Sequence, residues 1–284
     1  MVRRVVSRDG TSLAVVESGP RTAPTLVCVH GYPDNRSLWD GVVQSLQDRF
    51  HVVTYDVRGA GESDKPHRDS AYLLDRLAED LTAVLDAVSP DHPVHLLAHD
   101  WGSIQTWHAI TGDDLRGRGA SYTSISGPCL DHAARWMRSR VRAGLPALRE
   151  LLAQLASSGY IGFFQIPKLP ELAWRSGLTQ RLVRALDRSA SAPELPDAIH
   201  GLALYRANML RRFARPEPRR TDIPVQVIAP SADRFVHPPV QTGIAEWVPD
   251  LRVHRVPGGH WLPRSRPETV AGYAAELVEQ AASR

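Results

Sequence analysis

Apolar and polar positions follow two rhythms along this chain. Up to residue 129, short apolar runs alternate with stretches of helical spacing. Residues 2–7 and 12–18 predict two strands that turn at Asp9-Gly10, a hairpin signal. Residues 25–30, 51–56 and 94–98 are continuous apolar runs, as expected of strands covered on both faces. Residues 121–126 predict a further strand, closed by Gly127-Pro128. Between these runs, residues 38–46 have helical spacing, with Ser37 placed as the N-cap. From Leu73 to Val88 apolar residues recur at steps of three and four, the pattern of an amphipathic helix, and the segment after Trp101 also reads helical.

The rhythm breaks at Leu130. Residues 130–220 contain helical patches separated by prolines at 146, 167, 170, 193, 196, 216 and 218, and no convincing strand. After Asp222-Ile223-Pro224 the alternation resumes, with strands at 225–229 and 251–256 and helices at 239–248 and 267–282. Strand–helix alternation implies a parallel α/β sheet. The expected organisation is therefore an α/β core of residues 1–129 and 221–284, with residues 130–220 inserted as a helical cover.

Composition narrows the classes. Hydrophobic residues make up 43% of 284, enough for a sizeable core. No apolar run reaches the ~18 residues that a membrane span needs. Two cysteines, Cys28 and Cys129, provide no disulfide framework and no CxxC metal site. The opening MVRRVVSRDG lacks a secretory signal, so a cytoplasmic location is expected. The net charge of +3 hides an asymmetry. Lys65 and Lys168 are the only lysines among 34 basic residues. Residues 130–220 hold 15 arginines and Lys168 against seven acids, an excess of nine, which leaves the rest of the chain at −6. Arginine clusters fall at Arg135, Arg138, Arg140 and Arg142, and again at Arg211, Arg212, Arg215, Arg219 and Arg220. A solvated surface is the plain reading; the alternative is attraction of an anionic lipid, an acidic carrier or a membrane surface. No nucleic-acid motif is present.

The strongest chemical signal is Ala98-His99-Asp100-Trp101-Gly102, at the junction of a buried strand and a helix. A sharp turn there needs small flanking residues, and it lifts the tip side chain above the sheet. The tip is Asp100, whose carboxylate can attack carbon and form an ester. The plain alternative is an Asp that caps the following helix. Asp233 and His260 both lie just beyond predicted strands, where sites of open α/β sheets assemble. The order nucleophile, acid, histidine fits a hydrolase in which His260 activates water and Asp233 orients it. The turn His30-Gly31-Tyr32-Pro33 is placed to supply a second oxyanion N–H, from Tyr32, beside that of Trp101. The Tyr32-Pro33 bond is a candidate cis peptide. The glycine-rich 56–63 loop lacks the Lys-Ser/Thr of a P-loop and is expected to be structural, and a dinucleotide fingerprint is absent.

These motifs, HGYPDNRSLWD, DVRGAGESD, LLAHDWGS and GGHW, resemble the epoxide hydrolases of the α/β-hydrolase superfamily, including hydrolase halves of fusions with a short-chain reductase. The resemblance spans nearly the whole chain. It implies a mostly parallel eight-stranded sheet with a helical lid between strands six and seven. It also implies two lid tyrosines that hydrogen-bond an epoxide oxygen; Tyr160, in SSGYIGFFQIP, and Tyr205, in LALYRANM, match those motifs. Leu204 stands where an aromatic is frequent in the family, and Ser103 where Gly is common. Phe163, Phe164, Leu204, Trp107 and Trp174 are candidates to line an apolar substrate pocket.

The activity so implied is conversion of a small apolar epoxide to a vicinal diol through an aspartyl ester, with no metal and no organic cofactor. Three rivals stay open. A haloalkane dehalogenase shares the Asp, His and acid, although Tyr32 stands where that family typically has Asn. A serine esterase would have to use Ser103, three residues beyond the turn. A non-catalytic ligand receptor could use the same fold.

Overall fold

The computed structural model describes residues 2–113 and 115–282. Eight strands form one sheet: β1 (Arg3–Val6), β2 (Ser12–Ser18), β3 (Thr25–Val29), β4 (His51–Tyr55), β5 (Val94–His99), β6 (Gly119–Ile125), β7 (Val225–Pro230) and β8 (Leu251–Val256). Their order across the sheet is β1-β2-β4-β3-β5-β6-β7-β8. The β1–β2 and β2–β4 pairings are antiparallel, and all the others are parallel. The alternating direction of side chains along a strand splits the core into two layers. Val27, Val29, Leu96, Ala98 and Val227 face α2 (Leu74–Val88) and α3 (Trp101–Ile110). Leu26, Cys28, Leu97 and Ile228 face α1 (Asp40–Leu46) and the last helix, Pro267–Ala282. The central strands β3, β4, β5 and β7 are buried throughout, which accounts for their unbroken apolar runs.

Between β6 and β7 the chain is helical: α4 (Leu130–Arg140), α5 (Leu145–Ser157), α6 (Gly159–Phe164), α7 (Leu169–Arg175), α8 (Leu178–Leu186), α9 (Leu195–His200) and α10 (Leu202–Ala214). Prolines open α5, α7 and α9, so here proline starts helices as well as separating them. After β7 come α11 (Pro238–Thr242), α12 (Leu262–Ser265) and α13 (Pro267–Ala282). Among the described residues, no helix is long and apolar enough to cross a membrane.

Two local expectations change. The first helical segment begins as a 3-10 turn, Arg36–Trp39, whose cap is Asn35. Its Oδ1 accepts the Ser37 N–H at 3.1 Å and the Ser37 hydroxyl at 2.7 Å, so Ser37 lies inside the turn it was expected to start. The helix expected over 239–248 shrinks to α11. It stops at Gly243, and the rest of the segment still buries Ile244, Trp247 and Val248 without helical geometry.

Charged residues do much of the stapling. Arg58 is buried, with its guanidinium bonded to Asp80 at 2.5 and 2.6 Å and to Asp9 at 2.8 Å. Asp56 accepts the amides of Arg36 and Glu62, and His30 Nε2 accepts the Val57 N–H, so the 56–63 loop is a structural support. Many of the clustered arginines of the helical segment are also engaged. Arg138 donates to the Phe213 and Ala214 carbonyls at the end of α10, and Arg135 to Pro216 and Glu217. Arg212 and Arg219 sit against Asp131 and Glu217. Cations at a helix C-terminus answer its unpaired carbonyls and its dipole.

Candidate active site

The β5–α3 junction turns at Asp100, whose backbone lies at φ 53° and ψ −124°. Non-glycine residues rarely adopt that region, and such strain concentrates at functional sites. The turn is held by its own backbone: Asp100 N–H donates to the Ile125 carbonyl, and its carbonyl accepts the Ile104 N–H. Two glycines make room for it. A Cβ on Gly102 would collide with the Val29 and His30 carbonyl oxygens. A Cβ on Gly31 would lie 2.5 Å from both Asp100 Oδ1 and the Trp101 amide nitrogen. Close approach of the β3 turn to the β5 turn therefore requires Gly31. It brings the Tyr32 N–H to Asp100 Oδ1 at 2.8 Å, with the Trp101 amide on the same side. The Tyr32-Pro33 bond is cis.

The other carboxylate oxygen of Asp100 faces His260. Nε2 of His260 lies 3.5 Å from Asp100 Oδ2, and its Nδ1 lies 3.1 and 3.2 Å from the two Asp233 oxygens. Asp233 also accepts the N–H groups of Phe235 and Val236 at 2.9 and 3.0 Å. Burial opposes charge on His260, but the Asp233 and Asp100 carboxylates outweigh it and lift the imidazole to about 10. Burial likewise opposes charge on Asp233, yet the His260 imidazolium and the two amides hold its carboxyl below the usual range. His99, one residue before the turn, packs against His260 with ring centroids 4.8 Å apart and planes tilted by 60°, and it bonds the His260 carbonyl at 2.9 Å. Burial, with the neighbouring imidazolium adding to it, pushes His99 down to about 4, so only one ring of the pair carries charge at neutral pH.

The two candidate tyrosines come to the same place from different helices. Tyr160 on α6 and Tyr205 on α10 meet edge to face with centroids 5.9 Å apart. Tyr205 also packs against Trp101, Phe164 and Tyr32. Burial pushes both hydroxyls up, and the nearby Asp100 carboxylate adds to this, so both stay protonated. The residues after Tyr205 fix its helix. Arg206 donates to the Phe164 carbonyl at 3.1 Å and pairs with Glu171 at 2.7 Å, while Asn208 bridges the Tyr72 carbonyl and the Leu74 amide. The Tyr-Arg-x-Asn pattern is thus one tyrosine and two anchors.

A cavity of about 1160 Å³ opens above Asp100, lined by Tyr160, Phe163, Phe164, Trp174, Tyr205 and His260 among others. A second cavity, about 290 Å³, shares Asp100, Tyr160, Tyr205 and Phe235 with the first and continues past Ile104, Leu130 and Met209. Phe163, Phe164 and Trp174 line the larger cavity. Leu204 and Trp107 do not line either one. Leu204 is one residue, and so about 100° of helix rotation, away from Tyr205, and it packs in the cluster behind it. Trp107 points to the sheet, where its indole donates to Ser124 Oγ at 3.1 Å. Ser103 is turned away as well: its hydroxyl bonds Tyr122, Ser124 and the Gly127 carbonyl. A serine nucleophile is thereby removed. Among the described residues, no three His, Cys, Asp or Glu side chains are grouped to hold a metal ion.

Sequence reasoning missed two supporting residues. Asp34 is buried and accepts the Trp261 indole N–H at 2.6 Å, Arg264 at 3.2 Å and the Ser191 hydroxyl at 3.1 Å. It joins the Tyr32 turn, the His260 loop and the helical segment. Gln154 of α5 donates to the Phe235 carbonyl and accepts the His237 N–H, both at 2.9 Å, clamping the Asp233 loop. A polar residue inside an apolar helical face was the only available signal for Gln154.

Known proteins place this geometry in context. A family profile described as alpha/beta hydrolase fold matches residues 24–111. The chain is 36% identical over 295 aligned residues to the "Probable oxidoreductase EphD" of Mycobacterium tuberculosis, covering 99% of this chain and 50% of that protein. It thus spans about half the length of those curated relatives. It is 26% identical to Epoxide hydrolase 3 of Mus musculus, over 94% of this chain and 74% of the other. Among solved structures, an epoxide hydrolase from metagenomes of hot environments superposes with a TM-score of 0.81 at 26% identity, covering 98% of each chain. The Bacillus megaterium epoxide hydrolase shares the fold, with a TM-score of 0.80 at 22% identity over 98% of this chain and 100% of the other.

Proposed function

The chain belongs to the α/β-hydrolase superfamily, and we propose that within it this protein is an epoxide hydrolase that converts apolar epoxides to vicinal diols through an ester on Asp100. The observation that carries this reading is the shared wall: Asp100, His260 and two protonated tyrosines line one apolar cavity. In the first step an Asp100 oxygen attacks a ring carbon, the carbon–oxygen bond of the ring breaks, and the leaving oxygen takes a proton from Tyr160 or Tyr205. Esterification removes the Asp100 charge, one of the groups that hold the His260 proton. The imidazolium then gives up that proton, which returns to the tyrosinate, and neutral His260 is available as the base. In the second step it takes a proton from water, whose oxygen attacks the Asp100 carboxyl carbon, and Asp233 stabilises the imidazolium. In this mechanism the N–H groups of Tyr32 and Trp101 hold the oxyanion. The alkoxy oxygen leaves with a proton as the diol, and the water oxygen remains in Asp100.

Two cavities meeting at Asp100 favour an epoxide with apolar substituents on both ring carbons. The helical segment 130–220 acts in this reading as the lid that brings the acids to the nucleophile. Free, buried Cys28 and Cys129 favour a reducing compartment, and we propose the cytoplasm as the location. Repeated turnover in heavy-oxygen water should label Asp100, detected by peptide mass spectrometry. His260→Gln should accumulate the ester, and Asp100→Asn should form none. An active enzyme whose Asp100 stays unlabelled would sink the covalent mechanism. Turnover of haloalkanes but not of epoxides would instead favour the dehalogenase.

A further inference from the structure

Helix α8 borders the mouth of the larger cavity. Leu178, Leu182 and Leu186 line that cavity and are nevertheless 52%, 57% and 45% exposed. Their spacing of four puts them on one stripe of the helix. The neighbouring α7 exposes Leu172 to 62%. Large aliphatic side chains grouped this way around an opening mark an interaction face. The charges around them are one-sided. Lys168, Arg175, Arg181, Arg184 and Arg188 are all exposed. The two acids of the same stretch are occupied: Glu171 pairs with Arg206, and Asp187 accepts the Ser189 and Trp261 amides. None of the arginines in the two clusters at 135–142 and 211–220 lines the cavity. Arg234 does line it, on the Asp233 loop, and the five exposed cations belong to the same 168–188 stretch as the exposed leucines.

We propose that the α7–α8 face docks on an anionic lipid surface, so that a lipophilic substrate passes from the bilayer into the cavity beneath it. Leucines that enter the acyl boundary, beside arginines that stay at the headgroups, form the interfacial arrangement. A second copy of this chain on that face would bring two sets of five cations together. A soluble acidic protein would answer the arginines, but an apolar cavity opening among leucines calls for a source of apolar molecules, which a bilayer is. The docking does not depend on the chemistry at Asp100; only the identity of the cargo rests on the epoxide hydrolase reading.

Co-sedimentation of the 284-residue protein with vesicles tests it, using phosphatidylcholine alone and phosphatidylcholine with about one-third phosphatidylglycerol. Binding is expected only to the anionic vesicles, and it should weaken as salt rises. Combined Arg181→Glu, Arg184→Glu and Arg188→Glu should lower the affinity by at least about tenfold. Leu172→Asp should lower it several-fold, thermal melting verifying that each variant folds. Asp100→Asn should bind like the wild type, which separates docking from catalysis: vesicle binding without epoxide turnover keeps the docking and rejects the enzyme assignment. Equal binding to neutral vesicles, or unchanged binding of the charge-reversed variant, would overturn the proposal. So would a dimer in light scattering that Leu172→Asp dissociates, with no vesicle binding, which would assign the face to a second copy. Binding to soluble polyglutamate but not to vesicles would assign it to an acidic protein.

Discussion

Asp100 and His260 are coupled through charge before any substrate arrives. The raised His260 depends first on Asp233 and then on Asp100, both against the opposing effect of burial. Asp100→Asn removes the charge but keeps the shape, so it imitates the esterified carboxyl. NMR titration of that variant should find His260 with a lower pKa than in the wild type. An unchanged value would mean that Asp233 alone sets it and that esterification does not switch on the base. The tyrosines divide a different task. Both are protonated, and both line the cavities that meet at Asp100. General acid catalysis contributes about 10²–10⁴-fold, so the Tyr160→Phe, Tyr205→Phe double variant should lose about that much kcat in ester formation. Either single variant should lose less, because one hydroxyl remains. Hydrolysis of ester already formed should be nearly unaffected in all three.

At the scale of elements, the site is a meeting of strand ends held by bonds distant in sequence. Asp34 shows how much depends on them, because three segments bond its one carboxylate. Asp34→Ala leaves a buried indole N–H unpaired, which costs about 1–3 kcal/mol and can be read by urea unfolding. Because the Trp261 and Arg264 contacts hold the segment after His260, ester hydrolysis should slow more than ester formation. Equal slowing of both steps would mean that Asp34 acts on the fold as a whole. This division also explains what could be read from sequence. Asp100 directly follows the buried β5, and Asp233 and His260 lie three and four residues beyond β7 and β8, so local pattern pointed to those loops. Asp34 has its principal partner 227 residues away, and no local period encodes that. Leu204 was expected at the pocket because it stands, just before Tyr205, where the resembled family often has an aromatic, but neighbours on a helix face different directions. Likewise the 239–248 pattern reported burial correctly and conformation only up to Gly243, since apolar spacing does not require hydrogen bonds to continue.

For the molecule as a whole, the arginine-rich composition gives its alkaline behaviour one dominant source. A group raised in the folded state, as His260 is from 6.5 to about 10, adds stability that is complete below pH 6.5 and is lost as pH rises toward 10. Other groups leave that window clear. Only Lys65 and Lys168 are lysines, and the arginines stay charged. Both cysteines are pushed up by burial, as are Tyr32, Tyr55, Tyr72, Tyr122, Tyr160 and Tyr205, so they weaken the fold only near and above their ordinary values. His95, His99, His108, His132, His200 and His254 are pushed down, mainly by burial, so their effects are complete below about pH 7. Between about pH 7 and 8.5, the His260 contribution to stability should therefore fall by up to about 1.4 kcal/mol per pH unit. The melting temperature should drop with it across that range, by about 2–4 °C per kcal/mol for a chain of this size. His260→Gln should melt lower at pH 7 and show almost no slope, because its buried carboxylates no longer share a titrating cation. A wild-type slope that survives in His260→Gln would place the sensitive group elsewhere and would remove the charged Asp100–His260–Asp233 relay as the feature that ties stability to pH.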